Sequence, residues 1–254
     1  SVPGVTWENH YDFLHSRSNL IAYNHIHHVN LDSQDTGAME SWGPGRDNTY
    51  DHNLIHDPGN AELTLQSGIY LDDASDHFTV TNTIIYGVVG AGSDQPIFTK
   101  GIGNRIDNNI LIVGATNSSA ISSLYMADER ADHHEYTHNI IVFEPAEHYP
   151  AGAPVLYEFR NWSSDRVSVA DANLISTDGS AFAIKRGSEF MTFEQWQALD
   201  YDTHSAIGDP LFVDPANHDY SPGVYPESCT GYDALGKDVT YVMNLLAGDM
   251  VDLF

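Results

Sequence analysis

One pattern recurs six times along the chain: a short β-prone run, a pair of polar residues, then a second β-prone run. The copies are Ile21-Ala22-Tyr23-Asn24-His25-Ile26, Tyr50-Asp51-His52-Asn53-Leu54-Ile55, Val80-Thr81-Asn82-Thr83-Ile84-Ile85, Ile106-Asp107-Asn108-Asn109-Ile110-Leu111, Tyr136-Thr137-His138-Asn139-Ile140-Ile141 and Ala170-Asp171-Ala172-Asn173-Leu174-Ile175. Taking Asn24, Asn53, Thr83, Asn109, Asn139 and Asn173 as the key position gives spacings of 29, 30, 26, 30 and 34 residues. Like residues then fall into columns, with Ile or Leu two positions later and a large or β-branched residue three positions earlier in nearly every copy. A fixed period of this length is the mark of a solenoid, in which each unit buries its apolar face only against its neighbours. Helical repeats need runs of ~10–15 residues with a 3.6 period, and these runs are too short and too β-branched for that. The chain is therefore expected to be all-β, a right-handed parallel β-helix. Asn at the key position suits a left-handed corner, and stacked Asn side chains can hydrogen-bond along their column.

A further strand follows each corner. Gly37–Gly43, Gly68–Asp73, Pro96–Gly101, Ala120–Tyr125 and Pro154–Arg160 read as one face, with variable loops between. The tail differs: Met191–Leu199 reads as a short amphipathic helix, and Ile207–Pro215 as a terminal strand and turn. A solenoid must cover its last rung, so residues 1–190 are read as rungs and 191–254 as a capping segment of the same domain.

Composition narrows the partners. With 36 Asp and Glu against 10 Lys and Arg, the formal net charge is −26, which repels nucleic acid and anionic membrane surfaces. Such a chain suits a neutral or cationic substrate, or an acidic one met through Ca²⁺ or a local basic patch; the plainer reading is solubility in salty surroundings. No stretch approaches the ~18 apolar residues of a membrane span. The start, Ser1-Val2-Pro3-Gly4, lacks the basic and apolar regions of a signal peptide, and the absent Met fits a processed chain or part of a longer protein. Cys229 stands alone, so neither a disulfide framework nor a thiolate metal site is expected.

Several segments then resemble a known group. Asp35–Gly43, Asn53-Leu54-Ile55-His56-Asp57, Gly68-Ile69-Tyr70-Leu71-Asp72-Asp73, and the tail from Asp202 through Asp209-Pro210-Leu211-Phe212-Val213-Asp214-Pro215 are similar to secreted microbial β-helix proteins. That group includes glycoside hydrolases of fucosidase, xylanase and xylosidase type, and polysaccharide lyases. The resemblance covers nearly the whole chain and is more specific for fold than for substrate. It implies carbohydrate chemistry, a polysaccharide or oligosaccharide substrate and a secreted or periplasmic setting.

Aligning the third strands at Gly37, Gly68 and Pro96 places Ser41, Asp72 and Lys100 in one column and Met39, Tyr70 and Phe98 in another. Rungs lie ~4.8 Å apart, so acids on neighbouring rungs can face each other at the separation glycosidases use. Asp72 is the leading catalytic residue, with Asp35 or Glu40 as partner and Asp73 one position off. In a chain with 36 acids, any such pair can equally be structural or merely solvated. Lys100 reads as a salt-bridge partner of Asp72 or, alternatively, as a lyase base with Arg105 or Arg130 as acid or uronate clamp. Trp42, Tyr70, Tyr125 and Trp162 are possible sugar platforms, while Trp196 belongs to the core. Arg46, Glu158 and Arg160 complete the substrate-binding candidates. No cofactor is required; Ca²⁺ on Asp72, Asp73 and Asp76 is conceivable. His25, His27, His28, His52, His56, His133 and His134 lack chelating spacings, so no metal site is assigned to them; His27 and His56 should simply stack as rung neighbours.

Overall fold

Each polar pair of the repeat is a corner between two short parallel strands. In the computed structural model, which describes residues 3–6, 8–13, 15–43, 45–124, 131–146 and 148–222, these strands stack into a right-handed parallel β-helix of about six turns, with 7% helix. The first face comprises Leu20–Ala22, Thr49–Asp51, Thr79–Thr81, Arg105–Asp107, His134–Thr137 and Val167–Asp171. The second comprises His25–His27, Leu54–His56, Ile84–Tyr86, Ile110–Val113, Ile140–Phe143, Leu174–Ser176 and Ala206–Ile207. The third runs Thr36–Ser41, Gln66–Leu71, Gln95–Thr99, Ile121–Ser123, Val155–Phe159 and Ala183–Arg186, then closes with antiparallel Glu189–Met191. A narrow ribbon of two-residue strands, Ser16–Arg17, Gly45–Arg46 and Ser75–Asp76, precedes the first face.

The columns read from the sequence are the registers of the structure. Ile21, Tyr50, Val80, Ile106, Tyr136 and Ala170 are in register on the first face. Ile26, Ile55, Ile85, Leu111, Ile141 and Ile175 are in register on the second. Both columns belong to the interior cluster, as do Met39, Ile69, Ile97, Ile121 and Tyr157 from the third face. Full burial of one such side chain contributes ~1.5–3 kcal/mol, so the stack is stabilised rung by rung.

The key Asn column is an interior ladder rather than the left-handed corner itself. Positive φ falls one residue earlier, at Tyr23, His52, Asn82, Asn108, His138 and Ala172, with φ between 50° and 59°. Their neighbours Asn53, Thr83, Asn109, Asn139 and Asn173 are almost completely buried. The Asn139 Oδ1 accepts from both the backbone N–H (3.0 Å) and the Nδ2 (3.0 Å) of Asn109. Asn139 Nδ2 donates to Ile106 O at 2.9 Å and to Asn173 Oδ1 at 3.1 Å. A buried amide works here because it offers acceptor and donor together, satisfying backbone groups that the bend takes out of the strand ladder. Thr83 continues the column with one hydroxyl, accepting from Asn53 N at 3.3 Å and donating to Thr81 O at 2.9 Å. The ladder ends at Ser205 and Asp202, which accept from Asn173 N (2.8 Å) and Nδ2 (2.9 Å).

The tail divides in two. The helix is shorter than the sequence suggests, Phe193–Gln197, because Met191 is the end of the antiparallel strand. Thr192 and Gln195 form a capping box, and Trp196 and Phe193 bury against the last rung; the Trp196 Nε1 donates to Asp202 at 2.8 Å. Beyond it, Ala206–Ile207 extends the second face in parallel. Phe212–Asp214 and Asp219–Pro222 then form an antiparallel pair, and Phe212 and Tyr220 pack on Leu54, Ile84, Tyr86, Ile110, Ile112, Ile140 and Leu174. This part of the tail covers the outside of the second face instead of capping the end. The face needs it, because Leu54, Ile84, Ile110, Ile140 and Leu174 form an apolar column on its outside.

Two outcomes are expected. Asn139→Ala removes an acceptor for two Asn109 groups, so urea unfolding should show a loss of about 3 kcal/mol; a loss under ~0.5 kcal/mol would deny the ladder its role. His134, in register just beyond Asn104, is fully buried, and desolvation, then Arg166 and His133, push its pKa down to about 3. The unfolded chain binds a proton below ~6.5 that the folded chain refuses until about pH 3, so this contribution destabilises the fold as pH falls through that window. The wild type should lose on the order of 4 kcal/mol more than His134→Phe between pH 7 and pH 3.5, read from unfolding midpoints; parallel curves would contradict this.

Candidate functional site

Outward positions of the third face carry the titratable side chains. Glu40, Tyr70, Phe98, Ser122, Glu158 and Lys185 are in register, which corrects the sequence-based column by one residue on the first rung: Met39 points into the core and Glu40 pairs with Tyr70. Ser41 likewise registers with Leu71 rather than Asp72. The cause is the corner before the strand, which starts the pairing at Thr36 with Gln66 and Gly37 with Ser67.

Tyr70 organises the site. Its ring is buried and stacks on Phe98, centroids 4.8 Å apart and planes 12° from parallel. Its hydroxyl donates to Asp35 Oδ1 at 3.2 Å, and the charge of Asp72 also acts on the phenol. Tyr70 registers with Glu40, and five residues of straight strand would carry Asp35 ~16 Å from there. The strand must therefore curl back over Tyr70. Gly37 permits it, since a Cβ at that position would lie 2.8 Å from the Tyr70 Cβ and backbone N. Desolvation, then the charges of Asp72 and Asp35, drive the phenol far above its ordinary range, so Tyr70 stays a hydrogen-bond donor.

Asp72 and Lys100 form a buried ion pair, and Lys100 Nζ also lies 3.4 Å from Asp73 Oδ1. The same ammonium sits 5.2 Å from the Tyr70 ring centroid and 5.7 Å from that of Phe98, while the Arg160 guanidinium covers Phe98 at 5.0 Å. Asp35, Tyr70, Asp72, Asp73, Lys100 and Arg160 are thus one cluster around two stacked rings. Trp42, one position past the Ser41–Leu71 pair, exposes 75% of its surface on the neighbouring rung.

Other candidates lie elsewhere. Glu40 turns back along its own strand, accepting from Thr36 Oγ1 at 3.1 Å and Gly37 N at 3.4 Å. Its charge adds to desolvation in raising Tyr50 to about 12. Arg46, on the narrow ribbon, pairs with Asp47 at 2.6 Å and covers Tyr11 at 4.3 Å, away from the cluster. Glu158 pairs with Lys185 at 2.6 Å, and Trp162 packs beside Phe159 and Trp196 rather than serving as an open platform. Tyr125 and Arg130 lie outside the described residues. Of the three carboxylates weighed for Ca²⁺, Asp76 accepts from Tyr11 Oη (2.6 Å) and Ile102 N (2.9 Å), while Asp72 faces an ammonium. Arg105 pairs with Asp107 at 2.9 Å on the first face.

A second group lies on the second face. His27 and His56 stack at 5.0 Å as rung neighbours, as their repeat positions require. Metal-ligand atoms of His28, His56 and Asp57 lie within 4.8 Å of one another. The sequence had marked the histidines but not Asp57, whose place directly after His56 at the corner was the available signal.

Among the described residues no helix is long and apolar enough to cross a membrane. Compared with known protein families, curated proteins and solved structures, the chain matches none of them.

Removing one partner of a buried ion pair leaves the other charge uncompensated. Lys100→Met should therefore destabilise the fold by about 3 kcal/mol in urea, and adding Asp72→Asn should recover at least half of that loss. An undisturbed Lys100→Met midpoint would mean that the pair is not formed.

Proposed function

We propose that this chain is a carbohydrate-active enzyme, a glycoside hydrolase cleaving a plant or algal polysaccharide, with Asp35 and Asp72 as its paired carboxylates. A parallel β-helix is compatible with carbohydrate-active proteins. The observation that carries the proposal is the cluster in which Asp35 accepts from the Tyr70 hydroxyl while Asp72 pairs with Lys100, whose ammonium lies 5.2 Å from the centroid of the same Tyr70 ring. Asp35 and Asp72 come from neighbouring rungs ~4.8 Å apart, a spacing that can set two carboxylates at the separation over which paired acids cleave glycosidic bonds.

The surroundings divide their roles. Asp72, paired with the Lys100 ammonium, takes the part of the carboxylate that attacks or activates water. Asp35 is exposed, its carboxylate accepting from the Tyr70 phenol, and it takes the acid–base role at the leaving oxygen. Trp42 offers an open aromatic face for a sugar ring. Secretion or a periplasmic location, and action as part of a longer protein, belong to the same proposal. A lyase using Lys100 as base is disfavoured, because an ammonium held by two carboxylates has no lone pair to accept a proton.

The test is release of reducing ends from a panel of neutral and acidic polysaccharides, with ultraviolet absorbance followed in parallel. Asp35→Asn and Asp72→Asn should each lower the rate at least ~10³-fold, with Asp35→Asn leaving the unfolding midpoint close to wild type. New ultraviolet absorbance from unsaturated uronate would replace the hydrolase with a lyase. Turnover unaffected by Asp35→Asn would remove that residue from the mechanism, and silence on every substrate would leave a binding protein.

A further inference from the structure

We propose that His28, His56 and Asp57 hold a divalent transition-metal ion of zinc type, which ties the first rung to the second on the face opposite in role to the carboxylate cluster. This site is independent of the proposed hydrolase chemistry.

The argument begins with the corner after the second face. His28 and Asp57 occupy it on successive rungs, both left-handed, with φ of 51° and 50°. Identical backbone conformations stacked at the rung spacing send both side chains the same way. Gly87 takes the corresponding place on the third rung, and a Cβ there would lie 2.4 Å from Asp57 Oδ1. The Asp57 carboxylate therefore rests in space that only glycine leaves open.

The ring of His56 is fixed from both sides. His27 stacks above it at 5.0 Å and 8°, and Tyr86 below at 5.0 Å and 5°. Held in that plane, Nδ1 points to Asp57 Oδ2 at 2.7 Å and Nε2 to His25 Nε2 at 2.7 Å. On the same corner, His28 Nδ1 meets His27 Nδ1 at 2.9 Å, leaving its Nε2 available. A metal ion replacing the proton between His56 Nδ1 and Asp57 would thus find two imidazoles and a carboxylate, whose ligand atoms already lie within 4.8 Å. Closing to the ~3.3 Å spacing of a tetrahedral site at bonds of ~2.0–2.1 Å needs only side-chain adjustment at a partly exposed surface.

The outer contacts suit a bound metal. Ligating imidazoles use their second nitrogen as donor to a fixed acceptor, and His25 and His27 supply those acceptors to His56 and His28. Two nitrogens and one carboxylate favour zinc over Ca²⁺ or Mg²⁺, which prefer all-oxygen sites, and three ligands leave the fourth position to water.

The experiment is isothermal titration of the chelator-stripped full chain with ZnCl₂ and, separately, CaCl₂, with thermal unfolding at each metal concentration. One zinc equivalent should bind, the midpoint should rise with zinc concentration, and CaCl₂ should change neither. Asp57→Asn keeps the stacked rings and should weaken zinc at least ~30-fold; His28→Gln with His56→Gln should abolish the saturable equivalent. No saturable binding, or binding and stabilisation unchanged in both variants, would overturn the site. Asp57→Asn also guards against misreading: if the double variant unfolds, the single one still decides.

Discussion

The whole molecule hangs on parallel pairing between successive rungs, because no rung can bury its apolar residues or satisfy its bent backbone alone. Backbone hydrogen bonds supply most of that pairing, even at the left-handed residues, but in each polar pair the N–H of the residue that follows is met by a side chain instead. The Asn column supplies that partner on one edge: Asn53, Asn139 and Asn173 each accept two bonds from the rung before and donate to one of its carbonyls, while Asn109 accepts one, from Thr83 N. A shorter column with Asn19, Asn48 and Asn104 does the same on the edge before the first face. Register follows from these ladders, and the register decides which side chains meet outside.

The candidate chemistry is an outcome of that stacking. Two strands of the third face bring Tyr70 over Phe98, and the curl at Gly37 brings Asp35 onto the Tyr70 hydroxyl. One rung places Lys100 against Asp72 in a chain of net charge −26, where a buried ammonium is scarce and an uncompensated carboxylate is costly. The histidine group uses the same arithmetic on another face. One outward column carries His25 on the first rung and Leu54 on the second, while its neighbour carries His27 and His56 before reaching Tyr86. A rigid scaffold with short strands thus presents two distinct polar surfaces from one repeat.

Much of this was legible in the residues. Interior columns such as Ile26 through Ile175 repeat with so little variation that period alone locates them. The left-handed position was misplaced by one residue because Asn is the usual occupant, whereas here Tyr23, His52 and Ala172 take it and Asn is spent on the ladder. The third-face register slipped on the first rung because variable loops precede it and no ladder residue marks its start. Asp72 and Lys100 could be paired from spacing, but the contact of Asp35 with the Tyr70 hydroxyl could not: it depends on a strand curl that no periodicity encodes. The outer position of Phe212 and Tyr220 was hidden for a similar reason, since an apolar outward column looks, in sequence, like any buried strand.

The most direct test of the account is a crystal structure of the Asp35→Asn variant soaked with oligosaccharides from the polysaccharides that the wild type degrades. The account predicts a sugar on the third face, one ring against Trp42, and a glycosidic oxygen between residue 35 and Asp72 above Tyr70. Sugar density confined to another face, with Asp72 and Lys100 undisturbed and solvent over Tyr70, would contradict it.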